Sequence, residues 1–122
     1  EGSGTAASVT VRAPATVRGG LLFQSSFTID AKQEIGKPVL HLAQGWLENV
    51  TMNTLEPSPV DESWKNGGLE LTFARLPAGE QLKVYIQYQV NPTAVGRQSQ
   101  DVQLLDGETV LASIDRTLTI LP

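Results

Sequence analysis

The sequence predicts an all-β protein, an antiparallel β-sandwich of about seven to nine strands. In its clearest segment, residues 81–90, every second residue is apolar: Leu82, Val84, Ile86, Tyr88 and Val90. A spacing of two is that of a strand with one buried face. Turn residues separate about eight such short segments, and none of them has a sustained helical period. A closed barrel is the alternative arrangement for the same strands.

Four strands are predicted in the first half of the chain. Each is bounded by glycine, proline or polar residues, and they cover residues 8–17, 21–31, 38–43 and 50–55. Pro14 breaks the first of them, because proline cannot donate a hydrogen bond to a ladder, so this strand is expected at a sheet edge. Gly45 ends the third strand just before Trp46.

The longest irregular stretch is residues 56–67. Ser58 and Pro59 suit the N-cap and the first position of one helical turn. Asn66-Gly67 either ends that turn or starts the next strand through a tight turn. Residues 91–96 repeat this order of cap, proline and glycine, so a second short turn of helix is predicted there.

The second half of the chain predicts two hairpins. Residues 68–90 read as strand, tight turn and strand, with Pro77 and Gly79 in the turn. Asp106-Gly107 is a strong hairpin signal between strands over 99–105 and 108–121. Arg116 interrupts the alternation of the last strand, which a bulge or an edge position would explain.

One part of this pattern resembles known surface modules. The sequence LELTF at 69–73, followed by LPAGE at 76–80 and the strand over 81–90, resembles bacterial immunoglobulin-like and fibronectin-III-like modules. The resemblance covers residues 8–122 at the level of architecture, and the Cys…Trp…Cys signature of antibody domains is missing. It implies an immunoglobulin-like fold and an extracytoplasmic spacer or interaction domain. It supplies no functional residue.

Composition excludes several classes of function. The chain has 122 residues, 40% of them hydrophobic and 18% charged, with a net charge of −4 and no cysteine. The basic residues are scattered singly, which argues against binding to nucleic acid or to an anionic membrane surface. The lack of cysteine excludes disulfides, thiolate metal sites and thiol nucleophiles. No apolar run is long enough for this segment to insert into a membrane.

The predicted organisation is a leader followed by a single domain. Residues 1–7 are small and polar, as in a flexible linker, a tag scar or the stub left after removal of a signal or anchor. Residues 8–122 form the one β-sandwich domain, since this length fits one domain. We expect an extracytoplasmic location, at the cell surface or in the periplasm, with attachment through a removed N-terminal membrane anchor.

The sequence predicts no catalytic, cofactor or metal site. His41 is the only histidine, and triads and zinc sites need further histidine or cysteine partners. The alternation places it opposite Leu40 and Leu42, as an ordinary strand histidine that is exposed or hydrogen-bonded. No motif for a nucleophilic serine or a phosphate-binding loop is present.

Carboxylates are the remaining candidates for chemistry. Glu56, Asp61 and Glu62 are close in sequence, and Asp106 and Glu108 lie beside a hairpin turn. A glycosidase needs two carboxyl groups across a cleft, and a calcium site needs several oxygens that converge. Because neither pattern is complete, we read these residues as solvated loop charges. A weak calcium site within residues 56–62 is the alternative.

Three aromatic residues are the candidate contacts with a ligand or partner, namely Trp46, Trp64 and Tyr85. Exposed aromatics on a sandwich can stack on sugars or anchor a protein. Each tryptophan can instead close one end of the core. The leading hypothesis is therefore a non-enzymatic spacer or interaction domain with an unknown protein partner. The alternative is a carbohydrate-binding module that uses these three aromatic residues.

Overall fold

The computed structural model describes residues 2–3 and 6–121, which form thirteen strands and one short 3₁₀ helix. In chain order the strands are β1 (Gly2–Ser3), β2 (Ala7–Arg12), β3 (Thr16–Arg18), β4 (Leu22–Ala31), β5 (Pro38–Ala43), β6 (Val50–Glu56), β7 (Asp61–Lys65), β8 (Gly68–Thr72), β9 (Gln81–Val90), β10 (Gly96–Ser99), β11 (Val102–Asp106), β12 (Thr109–Ile114) and β13 (Thr117–Leu121). The helix, η1, covers Gln44–Trp46.

Two five-stranded antiparallel sheets form the sandwich. The strand order is β1-β2-β4-β9-β6 in the first sheet and β12-β11-β5-β8-β7 in the second. A third sheet has the order β10-β13-β3, in which β13 and β3 are parallel. The prediction of an all-β antiparallel sandwich of immunoglobulin-like architecture is confirmed. The strands are more numerous than predicted, because several short segments pair at sheet edges.

The central strands of the first sheet follow the predicted alternation. In β9, Val84, Ile86, Tyr88 and Val90 are buried, and the residues between them are exposed. Strand β9 lies between β4 and β6, so its backbone groups are bonded on both sides. Because one face of β9 is buried and both of its edges are paired, the sequence predicts this strand more clearly than any other.

The core lies between the two large sheets and has two parts. The main cluster contains Phe27, Ile29, Leu40, Leu42 and Trp46 together with other apolar residues of both sheets. A smaller cluster against the third sheet contains Val17, Val90, Ala94, Leu118 and Ile120. Partly buried Phe23 and Val50 pack against both clusters, so the third sheet extends the same core.

The predicted hairpin over residues 68–90 is wrong. Strand β8 pairs with β5 in the second sheet, whereas β9 pairs with β4 in the first. The connection between them crosses from one sheet to the other, and buried Leu76 forms a bridge with Ile35 on the way. Alternation identified both strands correctly, but it carries no information about which partner a strand takes.

Both predicted helical turns are also wrong. Residues 61–65 form β7, which pairs with β8 across a turn at Asn66 and Gly67, with φ of 53° and 75°. The segment 91–96 is a turn closed by the Ala94 N–H, which donates to the Asn91 carbonyl oxygen at 3.0 Å. Proline after a capping residue also suits the start of an edge strand or a turn, so the signal was ambiguous.

Two predicted strand breaks are places where the chain changes sheet. The chain leaves the first sheet after β2, passes Pro14, and joins the third sheet as β3. It leaves the second sheet after β12, passes Arg116, and joins the third sheet as β13. The hairpin signal at Asp106-Gly107 is confirmed, since β11 and β12 pair there and Gly107 has φ of 62°.

The predicted leader falls partly on residues 1, 4 and 5, which lie outside the described part of the chain. Of the remaining leader residues, Gly2 and Ser3 pair with Val9 and Ser8 of β2. Within the described ranges, no helix has the length and hydropathy needed to cross a bilayer.

Candidate functional site

Trp46 is fully buried, which removes it from the candidate surface contacts. It ends η1, and its ring packs edge-on against Phe27, with 5.1 Å between ring centroids. The centroid of the Tyr88 ring lies 5.9 Å from that of the Trp46 ring. Trp46 therefore closes one end of the core, which is the alternative that the sequence left open for it.

A cluster of polar groups surrounds this indole. Trp46 Nε1 donates to the carbonyl oxygen of Gln100 at 2.9 Å, and the guanidinium carbon of Arg116 lies 5.1 Å from the ring centroid. Arg116 Nη2 donates to the carbonyl oxygen of Pro14 at 2.8 Å. A cation over an aromatic face is attracted by the ring quadrupole. These contacts join η1 to the segment at Pro14 that precedes β3 and to the segment at Arg116 that precedes β13.

Burial changes the ionisation of two members of this cluster. It raises the pKa of the Tyr88 phenol, which nearby Ser25 and the charge of Arg116 offset only in part. It also lowers the pKa of Arg116, an effect that Tyr88 partly offsets. The Tyr88 hydroxyl and both polar atoms of the Gln100 side chain are buried without a hydrogen-bond partner. Trp46, Tyr88 and Gln100 lie inside the sandwich and Arg116 is partly buried beside them, so the contacts of this cluster hold one end of the core together.

Trp64 is exposed and lies on an edge strand. It belongs to β7, opposite Leu69 of β8, and 65% of its surface is accessible. Partners directly opposite each other in a ladder share a face, so Trp64 projects from the same face as core residue Leu69. A shallow depression of about 340 Å³ beside it is lined by Gln44, Lys65, Asn66, Gly67 and Gly68.

Tyr85 lies on the outer face of the other large sheet. It is 41% exposed on β9, between its register partners Ser26 of β4 and Glu56 of β6. With Gln24, Thr54, Glu56 and Gln87 it lines a depression of about 350 Å³. Trp64 and Tyr85 therefore belong to different sheets, and they do not form one continuous aromatic strip.

His41 lies on the outer face of the second sheet. Its register partners are Glu70 and Gln103, and it is buried. Its Nε2 donates to the carbonyl oxygen of Lys65 at 3.1 Å. This bond fastens the turn between β7 and β8 to the centre of the sheet, which is a structural role.

The candidate carboxylates are dispersed. Glu56 lies at the end of β6 in the first sheet, whereas Asp61 and Glu62 lie on β7 in the second, and all three are exposed. In the part of the chain that the structure describes, no group of three or more His, Cys, Asp or Glu residues is placed to hold a metal ion. The arrangement does not support the alternative of a calcium site within residues 56–62.

One lateral side of the sandwich is open. On the opposite side, β1 and β2 of the first sheet contact β12 of the second. On the open side, the edges are β6 and β7. Strand β6 is irregular between Met52 and Thr54, whereas β7 keeps an unbroken register with β8 over its five residues. Bulges disturb edge pairing, so β7 is the regular edge on this side.

Solved structures share this arrangement of strands. The fold is similar to that of a CARDB domain. The crystal structure of the CARDB domain of a Pyrococcus furiosus protein in complex with di-metal ions has a TM-score of 0.57 and 14% identity, and the match covers 93% of this chain and 91% of that one. The solution NMR structure of the same domain has a TM-score of 0.60 and 12% identity, with 94% of each chain covered.

At these identities the likeness to the CARDB domain concerns the fold alone. No protein-family model matches the sequence. No curated protein matches it significantly.

Sequence reasoning missed both the edge strand and the cluster around Trp46. The Asn66-Gly67 turn was a usable signal for β7, since this dipeptide favours hairpins. The interruption at Arg116 was the one trace of the cluster, because a charge within an apolar alternation needs a special environment. Gln100 lies in an irregular link between β10 and β11, where no periodicity could predict its burial.

Proposed function

We propose that this chain is a non-enzymatic, extracytoplasmic β-sandwich module that acts as a protein-interaction domain. The observation that carries the proposal is the exposed indole of Trp64 on the regular edge strand β7. Exposed tryptophan is enriched at the centres of protein interfaces, and an edge strand offers unpaired backbone groups to a partner. A spacer without any partner is the simpler form of the same function.

The distribution of ionisable groups supports a non-enzymatic role. Among the residues that the structure describes, the groups with shifted pKa values are Tyr88 and Arg116, and both face the buried indole of Trp46. Catalytic sites place such groups in a cleft, where a substrate can reach them. Here they stabilise the end of the core.

In-cell photo-crosslinking tests the interaction role. A photoreactive residue at position 64 of the full-length protein should give a discrete protein adduct, because Trp64 is at the proposed contact surface. The matched control is position 113, since Ser113 is exposed on β12 at the other edge of the same sheet. Equal labelling from both positions, or no adduct from either, would leave only the spacer role.

Fractionation of cells that express the full-length protein tests the location. We expect this segment in the periplasmic or surface fraction, or digested when protease is added to intact cells. A cytoplasmic marker protein should remain intact in the same samples. Recovery of the segment only with the cytoplasmic marker would contradict the proposal.

Carbohydrate binding is a second candidate, favoured by the depression around Tyr85. An aromatic ring among amide, hydroxyl and carboxylate side chains suits the apolar face and the hydroxyls of a sugar. If the module binds a glycan there, Tyr85→Ala should abolish glycan binding measured by calorimetry, and Trp64→Ala should leave it unchanged. Glycan binding that survives Tyr85→Ala would exclude this site.

A further inference from the structure

We propose that β7 pairs antiparallel with β7 of a second copy of this chain, about a two-fold axis at Ser63. This inference rests on the proposed interaction function and names its partner. The pairing of the two β7 strands would join the second sheets of two sandwiches into one continuous sheet. The backbone groups, the charges and the exposed indole of β7 support this pairing.

The backbone of β7 has unpaired groups at two positions. Lys65 and Gly68 flank the two-residue turn and are register partners, and such partners exchange both backbone hydrogen bonds. Bonded and non-bonded pairs alternate along an antiparallel ladder. The N–H and C=O groups of Ser63 therefore point towards β8, and those of Glu62 and Trp64 point away from it.

Self-pairing about Ser63 uses all four of these outward groups. In that register Glu62 lies opposite Trp64 of the second copy, and Trp64 lies opposite its Glu62. Each of the two pairs is of the bonded type, so together they form four backbone hydrogen bonds. Ser63 lies opposite itself in a non-bonded pair. A shift by one residue would instead place these outward groups opposite residues whose N–H and C=O groups point towards their own β8.

Two of the three charged side chains on β7, those of Asp61 and Lys65, are complementary in the same register. Asp61 lies opposite Lys65 of the second copy, and the two-fold axis makes this contact twice. Both are exposed, and they share the outer face of the second sheet with Ser63. Opposite charges across an antiparallel pair are stabilising, and like charges are destabilising. Charges on an edge ordinarily oppose pairing, but here each member of this pair meets the opposite sign.

The exposed indole also finds cover in this arrangement. The two copies of Trp64 lie diagonally across the axis, where side chains about 7 to 8 Å apart remain within reach of aromatic rings. An indole that is 65% exposed in one copy would then pack against the other copy. The contact is isologous, so it closes at two copies and does not propagate into fibres.

Charge reversal tests the proposal by sedimentation of the 122-residue chain. The unaltered chain should show a concentration-dependent dimer at submillimolar concentration in about 0.15 M salt, where repulsion between the net-negative copies is screened beyond roughly 8 Å. Asp61→Lys and Lys65→Asp should each weaken the dimer by about tenfold or more, because each places like charges opposite each other twice. The double variant Asp61→Lys/Lys65→Asp restores opposite charges and should recover the original affinity.

Each alternative outcome overturns the proposal. A chain that stays monomeric, a dimer indifferent to both single reversals, or a double variant without recovery would each exclude this register. Unfolding curves for all variants check that the fold is retained, and the mutated positions are exposed. Failure here is distinguishable from failure of the proposed function: a crosslink from position 64 to a different protein would preserve the interaction role while excluding self-pairing.

Discussion

The two tryptophans occupy opposite environments and form a matched pair for mutation. Trp46 is fully buried between Phe27 and Tyr88, whereas Trp64 is 65% exposed on β7. We expect Trp46→Ala to lower the free energy of unfolding by about 3 to 5 kcal/mol, through lost burial and a cavity. Trp64→Ala should change it by less than about 0.5 kcal/mol in urea titrations at micromolar concentration. Equal effects would contradict the assignment of Trp46 to the core.

Tyr88 makes a second prediction at this scale, concerning pH. Burial raises the pKa of its phenol above the ordinary value of 10.0, so the unfolded chain releases this proton at lower pH than the folded chain. The stability that protonated Tyr88 contributes is complete below pH 10 and declines as the pH rises above it. Tyr88→Phe should therefore be nearly neutral at pH 7 and should lack this alkaline decline.

Denaturant titrations of both proteins between about pH 9 and 11 check this difference. The wild type should lose up to about 1.4 kcal/mol per pH unit relative to Tyr88→Phe, the value for release of one proton. Parallel curves for the two proteins would mean that the phenol ionises equally in both states. A large loss of stability in Tyr88→Phe at pH 7 would mean that its hydroxyl has a hydrogen-bond partner, such as a buried water.

Burial at single positions was predictable only where alternation was regular. In β9 the period of two identified Ile86 and Tyr88 as buried. The burial of Gln100 was not predictable, because it is polar and lies in an irregular link between two strands. Exposure of Trp64 also depended on tertiary structure, since it shares a face with core residue Leu69 and only the position of β7 at the edge exposes it.

At the scale of elements, the phase of the β7 ladder makes a prediction with proline. Glu62 directs its N–H away from β8, so Glu62→Pro removes no bond within the chain and should lower the free energy of unfolding by less than about 1 kcal/mol. Ser63 directs its N–H towards β8, so Ser63→Pro should cost about 1 to 3 kcal/mol by leaving a carbonyl group of β8 unpaired. The measurement is urea unfolding at low concentration.

If Glu62→Pro destabilised the fold more than Ser63→Pro, the backbone groups of Glu62 would point towards β8 and those of Ser63 away from it. The self-pairing register would then be wrong. If the order is as expected, Glu62→Pro becomes a useful probe, because it should prevent self-pairing in a chain that is otherwise folded. The outward N–H of Glu62 is one of the groups that pairing needs.

The elements that the sequence missed share one physical cause. Short edge strands such as β3, β7 and β10 have three to five residues, too few for alternation to stand out from chance. Turns were more informative, since Asn66-Gly67 between β7 and β8 and Gly107 between β11 and β12 adopt the positive φ that the hairpin signals require. A tight turn is determined by two or three adjacent residues. Whether a five-residue segment becomes helix or strand depends instead on the strands that it contacts in the folded chain.

At the scale of the whole molecule, fold class was predictable and strand pairing was not. Alternation indicates which face of a strand is buried, and a two-layer sandwich is a common solution for many half-buried strands. The choice of partner strand is non-local. Strand β4 pairs with β9 about sixty residues away, and β8 pairs with β5 although β9 follows it in the chain. The small third sheet escaped prediction for the same reason, because it collects three segments from distant parts of the chain.

The open β7 side is the feature of the whole molecule that links fold to function. One lateral side is closed by contacts between β12 and the first sheet, and the other presents β6 and β7. The sandwich can therefore add another chain at β7, whereas its opposite side is already covered. We therefore expect this edge to recognise its own copy.

A single cysteine introduced at position 63 tests self-pairing through β7, since the chain has no cysteine of its own. In the proposed dimer, position 63 faces itself in a non-bonded pair with Cα atoms about 4.5 Å apart, which lies within the range for a disulfide. Ser63→Cys in a thiol–disulfide buffer should form a covalent dimer at micromolar concentration, whereas the matched control Ser113→Cys should stay monomeric. Equal crosslinking of the two variants, or none in Ser63→Cys, would contradict pairing through β7.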